Sequence, residues 1–420
     1  MTQSLCIFED PGYTRLLPLV YMRPVYELRC GMTTLRQKLL RSYPGVPVTL
    51  RSRGDLGDLM RRQNPDIPVN LIPAASCLFL NGRVVADDSL IAQIPLQGED
   101  TVYVEGDTLV AARVSGSTMD RLRTGLPDVP RAADFDGIPR REVQAKIITW
   151  PWDLVNANGR EIAADFRLLT RGVPKKIAGH VHDGVHLVNP DMIFIEEGAT
   201  VKPGVVLDAE QGPITIEKNA LIFPHVTIEG PACVGEGSRI KAGAKIYECT
   251  SIGPVCKVGG EVESSIVHGF SNKQHDGFLG HAYLGMWVNL GADTNNSDLK
   301  NNYGHVRVVI NGEQVDSGSV FAGLYMGDHS KSAINTMFNT GTVVGFSSNV
   351  FGAGFPPKSI PSFAWGGAGE MSVYDLERSL DVARRVMARR NTVMSDVEEK
   401  VFRKVFELTR EERRRAGMAP

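Results

Sequence analysis

The sequence predicts an α/β domain followed by a parallel β-helix and a helical tail, and three observations carry that expectation. Eight aliphatic residues stand six positions apart without a miss: Ile216, Ile222, Ile228, Val234, Ile240, Ile246, Ile252 and Val258. Two positions before seven of them lies a small or short side chain: Ala220, Val226, Ala232, Ser238, Ala244, Thr250 and Cys256. A six-residue period fits neither an amphipathic helix nor an alternating strand, but it fits a coil with three flat faces. Third, apolar strand-like runs alternate with helical stretches over the first 165 residues, as in a sheet covered by helices.

Taken in order, residues 1–165 read as the α/β domain. Strand-like runs are Leu5–Phe8, Val46–Leu50, Cys77–Leu80, Thr101–Val104 and Thr108–Val114, with helices over Met32–Ser42 and Leu56–Gln63. This pattern predicts a mostly parallel sheet. Gly125–Arg141, rich in Pro, Asp and Arg, reads as a surface loop, and Trp150-Pro151-Trp152-Asp153 opens a helix ending near Thr170. Residues 166–184 are the connector. Residues 185–367 form the solenoid, which begins with Ile195, Val201 and Leu207 and resumes as Phe278, Leu284, Leu290 and again as Met326, Ser332, Phe338, Val344, Val350. The repeat fails between Val258 and Phe278 and between Leu290 and Met326. Insertions leave a solenoid as loops on its binding face, so function is expected there. Residues 368–420 read as an amphipathic helical tail packing on the solenoid or on a neighbouring subunit.

Composition excludes several classes. The net charge of −2 offers no nucleic-acid surface and no membrane patch. No apolar run reaches the roughly 20 residues of a membrane span, and the N-terminus lacks a basic start with an apolar stretch. The six cysteines show no C-x-x-C spacing and read as buried thiols, which places the chain in the cytoplasm.

The sharpest local sequence runs from Asn272 to Gly304. It contains Gly280-His281-Ala282-Tyr283-Leu284-Gly285, then Asn289-Leu290-Gly291-Ala292-Asp293-Thr294, then Asn302-Tyr303-Gly304. In this order, and set in hexapeptide repeats, these segments resemble the acetyltransferase half of the bacterial N-acetylglucosamine-1-phosphate uridyltransferase/glucosamine-1-phosphate N-acetyltransferase family. Asp293 stands where that family has a glycine, and Gly304 where it has an aspartate. The resemblance implies a left-handed β-helix, acetyl-CoA as donor, an amino-sugar phosphate as acceptor, and a homotrimer with acyl sites between subunits.

His281 is the candidate general base, because acylating an amine requires taking up its proton and a neutral imidazole does so near neutral pH. His275 is the rival base or a supporting partner. Gly285 and Gly291 mark turns whose backbone N–H groups suit the carbonyl oxygen of the tetrahedral intermediate. By the resemblance, Tyr283, Asn289, Asn302 and Tyr303 help hold sugar and cofactor. Lys273, Arg239 and Lys241 are candidates for the sugar phosphate. A zinc site on this fold would need a widely separated histidine followed by a close pair, which the nine histidines do not show.

The Gly-rich phosphate loop of the uridyltransferase half is absent. In its place stand Phe8-Glu9-Asp10, Leu17-Pro18-Leu19 and Arg23-Pro24-Val25-Tyr26-Glu27-Leu28-Arg29-Cys30-Gly31, with Lys38 in the next helix. This is similar to a divergent bacterial group of sugar nucleotidyltransferases fused to the same kind of β-helix. The resemblance implies an NTP and Mg²⁺, with Arg23, Arg29 and Lys38 as nucleotide ligands. Asn81 stands where the main family has a metal-binding aspartate, with Asp87 and Asp88 beyond it. The expected chemistry is a nucleotide-activated N-acetylated amino sugar made from sugar phosphate, acetyl-CoA and NTP. The alternatives are one retained activity or a nucleotide-sensing trimeric scaffold.

Overall fold

The computed structural model describes residues 3–173 and 176–418. The first domain is a six-stranded sheet in the order Val48–Arg51, Gln3–Phe8, Ser76–Asn81, Thr108–Ser115, Thr101–Glu105, Arg140–Glu142. The first three strands are parallel. Five of the six strands run in one direction, as expected of a mostly parallel sheet, and Thr108–Ser115 runs antiparallel to both its neighbours. The reason is local. Only Gly106 and Asp107 separate it from Thr101–Glu105, and so short a link makes a hairpin rather than a crossover. Alternation splits the first strand between two cores. Leu5 and Ile7 join Leu78, Leu80 and Tyr103 on one face. Cys6 and Phe8 join Phe79, Val102 and Phe135 on the other. A sheet buried on both faces explains why these strands read as continuous apolar runs.

Helix α1 (Leu35–Ser42) starts at a capping box in which the Thr34 hydroxyl accepts from the Gln37 N–H. Helices α2 (Gly54–Gln63), α3 (Asp88–Gln93) and α4 (Gly116–Gly125) also belong to this domain. Helix α5 (Pro151–Leu169) starts with proline at its first turn and lies against the solenoid. Asn158 ties it down, its Nδ2 donating to the Cys249 carbonyl (2.7 Å) and its Oδ1 accepting from Gly31 N–H (2.7 Å). Gly159 permits this approach, since a Cβ there would collide with the Cys249 sulfur.

The solenoid is a prism of parallel strands. Its longest sheet has nine strands, and along it one inward column runs Ile195, Ile216, Val234, Ile252, Val267, Leu284, Met326, Val344, Ile360. All nine are buried, and each such side chain contributes about 1.5–3 kcal/mol relative to exposure. The stretch between Val258 and Phe278, expected to be irregular, is ordinary coil: Glu261–Glu263, Ile266–Gly269 and Asn272–Lys273 each pair with the coil below. Its corners are shorter than elsewhere, which hides the six-residue period. Lys273 takes the inward place above Val258.

Beyond Leu290 the chain does leave the coil. After Asn295–Asn296 it runs out to residue 321 and carries an antiparallel hairpin, Arg307–Ile310 with Glu313–Asp316, turning at Asn311 and Gly312. Val306, Val308 and Ile310 pack with Leu16, Leu19, Val20, Trp152 and Tyr325 in one cluster shared by both domains. The tail forms α6 (Leu376–Ala388), α7 (Asp396–Leu408) and α8 (Arg410–Arg415). Phe402 of α7 packs edge-on against Phe346 and Phe363 of the last coils. The six cysteines are unpaired, five of them buried. No helix among the described residues is long and apolar enough to cross a membrane.

Candidate functional site

The inserted loop brings a carboxylate to the coil corner that holds His281. The His281 ring Nδ1 lies 2.8 Å from Asp298 Oδ2, with the two side chains 16 % and 14 % exposed. The ring stacks on Phe321, centroids 4.7 Å apart and planes 15° apart. Asp298 and Phe321 stand at the two ends of the insertion, where Leu299 bridges Phe321 and the Ala322 N–H donates to the Asp298 carbonyl (2.9 Å). Gly280 gives the carboxylate its place, since a Cβ there would collide with Asp298 Oδ2. Asn296 fixes the exit strand, accepting from Gly280 N–H (3.0 Å) and donating to Gly280 C=O (2.9 Å). With Nδ1–H given to the carboxylate, Nε2 is left as the lone-pair nitrogen, and among the described residues it has no hydrogen-bond partner. Such a nitrogen can accept a proton, and the carboxylate then stabilises the imidazolium.

The other candidate residues fall in different places. His275 is exposed, and its carbonyl accepts from Lys273 Nζ (3.0 Å), which also donates to Gly259 C=O (3.0 Å). Burial pushes the Lys273 ammonium down to about 8, opposed by Asp276, Asp293 and Glu261 nearby. Its ammonium is engaged inside the coil corner. Tyr283 is fully buried at the seam between domains, and its hydroxyl accepts from the Arg29 N–H (3.0 Å) and meets His268 Nδ1 (2.9 Å). Burial pushes its phenol up and the His268 imidazole well down, so both stay neutral. Asn302 and Tyr303 lie on the outer loop of the insertion, where Asn302 Oδ1 accepts from Gly304 N–H (3.1 Å) and Tyr303 is 71 % exposed. Asn289 bridges to Asn272 on the third sheet of the solenoid, the one that carries Arg239–Ile240, Lys257–Val258 and Asn272–Lys273, and its Oδ1 accepts from Asn272 Nδ2 (3.3 Å). Lys241 sits over the Phe223 ring at 5.0 Å.

The expected oxyanion turns are otherwise employed. Gly285 lies within a strand, where its missing side chain makes room for Asp328, and the Gly291 N–H donates to Ser332.

In the first domain the three expected nucleotide ligands face the solenoid or α5. Arg23 is buried and forms a bidentate pair with Asp328 (3.0 and 2.5 Å). Lys38 is buried between Asp165 (2.7 Å) and Glu161 (3.0 Å) of α5. Arg29 donates to the Met32 carbonyl. At the carboxyl edge of the parallel strands, where such sheets bind ligands, Glu9 pairs with Arg53 (2.6 Å) and Asp10 with Arg83 (2.5 Å). Asn81 accepts from Arg83 N–H and donates to Leu109 C=O. Asp87 caps α3 and pairs with Lys146 (2.6 Å). These donors do not fit Mg²⁺, because each candidate carboxylate except Asp88 already faces a cation. No group of three or more His, Cys, Asp or Glu suited to a metal occurs among the described residues.

Asp298 escaped the sequence reading. It lies 17 residues after His281, close to one coil of the solenoid, and that spacing is the signal that could have found it.

Residues 5–173 match the protein family described as "Sugar nucleotidyl transferase". The chain is similar to the bifunctional protein GlmU of Rippkaea orientalis, 26 % identical over 158 residues, which are 33 % of this chain and 35 % of that protein. It is also similar to the bifunctional protein GlmU of Synechococcus elongatus, 24 % identical over 233 residues, 50 % of this chain and 47 % of that one. The chain thus spans between a third and a half of the length of these curated relatives. Among solved structures it is similar to the UDP-N-acetylglucosamine acyltransferase of Francisella novicida, at 13 % identity and a TM-score of 0.29, covering 56 % of this chain and 86 % of that one. The chain therefore carries a sugar-nucleotidyltransferase family domain at residues 5–173, is distantly GlmU-like over about half its length, and has a hexapeptide β-helix behind that domain.

Proposed function

We propose that this protein transfers an acyl group from an acyl-CoA thioester to an amine on a sugar phosphate or nucleotide-linked sugar, with His281 as base. The His281–Asp298 pair carries this reading. In the step, the amine nitrogen bonds to the thioester carbonyl carbon and its proton passes to His281 Nε2. The carbon–sulfur bond then breaks, and the proton leaves with the CoA thiolate as thiol. Asp298 holds the ring in the tautomer that can accept. Acetyl is the acyl group that the family resemblance favours, and a trimer with sites between subunits belongs to the same reading.

Nucleotidyl transfer in the first domain has the family match behind it. Against it stand the ion pairs that engage Arg23, Lys38, Glu9 and Asp10. The geometry therefore favours the single-activity alternative, acyl transfer, with the first domain serving as a structural and recognition partner.

The test is CoA release from acetyl-CoA with a panel of amino-sugar phosphates and nucleotide-linked amino sugars. His281→Ala is expected to lower kcat by about 10²–10⁴-fold with an unchanged melting temperature. Equal turnover in the variant removes His281 from the mechanism. Pyrophosphate release from an NTP plus a sugar 1-phosphate would restore the dual activity.

A further inference from the structure

Six cations gather where the third sheet of the solenoid meets the end of α6. Arg239 and Lys257 are direct partners on adjacent strands, with Lys241 beside them. Lys331 stands on the same side further along, and Arg389 and Arg390 follow the last turn of α6. Among the described residues none of the six pairs with a carboxylate, whereas Lys245 and Arg384 do pair, with Glu261 and Glu399. The charges repel. Burial lowers the Lys257 ammonium, and Arg390, Arg239, Arg389 and Lys241 lower it further. Burial and then Arg389 do the same to Arg390. Burial alone pushes Lys331 down to about 8. In a chain of net charge −2, such a concentration of uncompensated positive charge destabilises the fold unless an anion sits in it.

A groove of about 280 Å³ runs through the cluster, lined by Lys257, Lys331, Arg389 and Arg390 and by the rings of Phe270 and Trp287. The two rings are 4.5 Å apart at 31°. Asn272, Gln274 and Asn289 supply amides, and among the described residues no carboxylate lines the groove. Arg390 Nη2 donates to Asn272 Oδ1 (2.7 Å), while its Nε is buried without a partner among the described residues. Guanidinium and ammonium groups in this arrangement suit phosphate oxygens, and an aromatic wall suits a planar base.

We propose that this groove binds the diphosphate of a nucleotide, with Lys257, Lys331, Arg389 and Arg390 on the phosphates and the base against Phe270. The groove opens at the corner of Trp287, at the opposite end of the strand Tyr283–Met286 from His281. It is thus a separate place from the histidine corner, and the proposal does not rest on acyl transfer. Two sources present this chemistry, the adenosine diphosphate portion of CoA and the diphosphate of a nucleotide sugar.

Titration calorimetry of the full chain with CoA, ADP, UDP-N-acetylglucosamine and inorganic pyrophosphate tests it without turnover. At least one nucleotide is expected to bind, more weakly at high salt. The double variant Lys257→Ala, Arg389→Ala should weaken that binding by about tenfold or more. Binding of CoA and ADP alone identifies CoA as the source, and binding of the UDP-sugar alone identifies a nucleotide sugar. Should the double variant fail to fold, Arg389→Glu on the exposed rim reads the same loss. The proposal is overturned if no nucleotide binds, if the folded variant binds as the wild type does, or if pyrophosphate binds as tightly as every nucleotide.

Discussion

The carboxyl edge of the first sheet and the His281 corner of the solenoid are both built from charged and polar side chains, yet they use them in opposite ways. At the sheet edge Glu9, Asp10, Arg53 and Arg83 satisfy one another, and Arg23 reaches across to Asp328. At the corner, Asp298 satisfies one nitrogen of His281 and leaves the other without a partner among the described residues. Buried ion pairs hold two elements in register, and removing one partner leaves a costly bare charge. A half-satisfied imidazole is poised to exchange a proton. The residue types are similar, so the difference in role lies in which groups remain free.

Three substitutions sharpen that contrast beyond His281→Ala, taken from the largest effect down. Arg23→Ala should destabilise the fold by about 3–5 kcal/mol, because Asp328 is buried and would lose its bidentate partner. Chemical denaturation measures this, and a loss confined to nucleotide affinity would return Arg23 to ligand duty. Asp298→Asn should lower kcat by about ten- to a hundredfold with KM and melting temperature near those of the wild type, since the amide no longer fixes the ring tautomer that leaves Nε2 free. An unchanged kcat would separate Asp298 from the base.

Lys273→Met should stabilise the fold by about 1–2 kcal/mol at neutral pH, by removing a buried ammonium from its inward place above Val258. The sign follows from its folded value of about 8, which lies below the ordinary 10.5. Between those values the unfolded chain binds more protons, so wild-type stability rises with pH through that window and the gain from Met shrinks. Unfolding curves at neutral and alkaline pH check it, and a constant gain would mean that burial does not lower the Lys273 value.

Much of the fold was legible because its signals are periodic. The six-residue register of Ile216 to Val258 maps in turn onto the three sheets, and the apolar runs of the first domain are strands. The coil through Val262 and Val267 was not legible because shortened corners break the count while leaving the ladder intact. The hairpin at 307–316 was missed although Asn311-Gly312, both with positive φ, is a strong local hairpin signal between alternating residues. His281 stood out through its neighbours in sequence, whereas Asp298 is its neighbour only through the coil. The partners of Arg23 and Lys38 lie 305 and 127 residues away, and no local pattern announces contacts of that kind.

The shared cluster that buries Tyr283, Tyr325, Val306 and Val308 under Leu16, Leu19 and Trp152 has a consequence for how the protein can be dissected. A fragment cut at the connector would present a bare aromatic and aliphatic floor to water, and the hairpin would lose the surface it rests on. The two halves share one buried core, and activity assigned to either half must be measured on the intact chain.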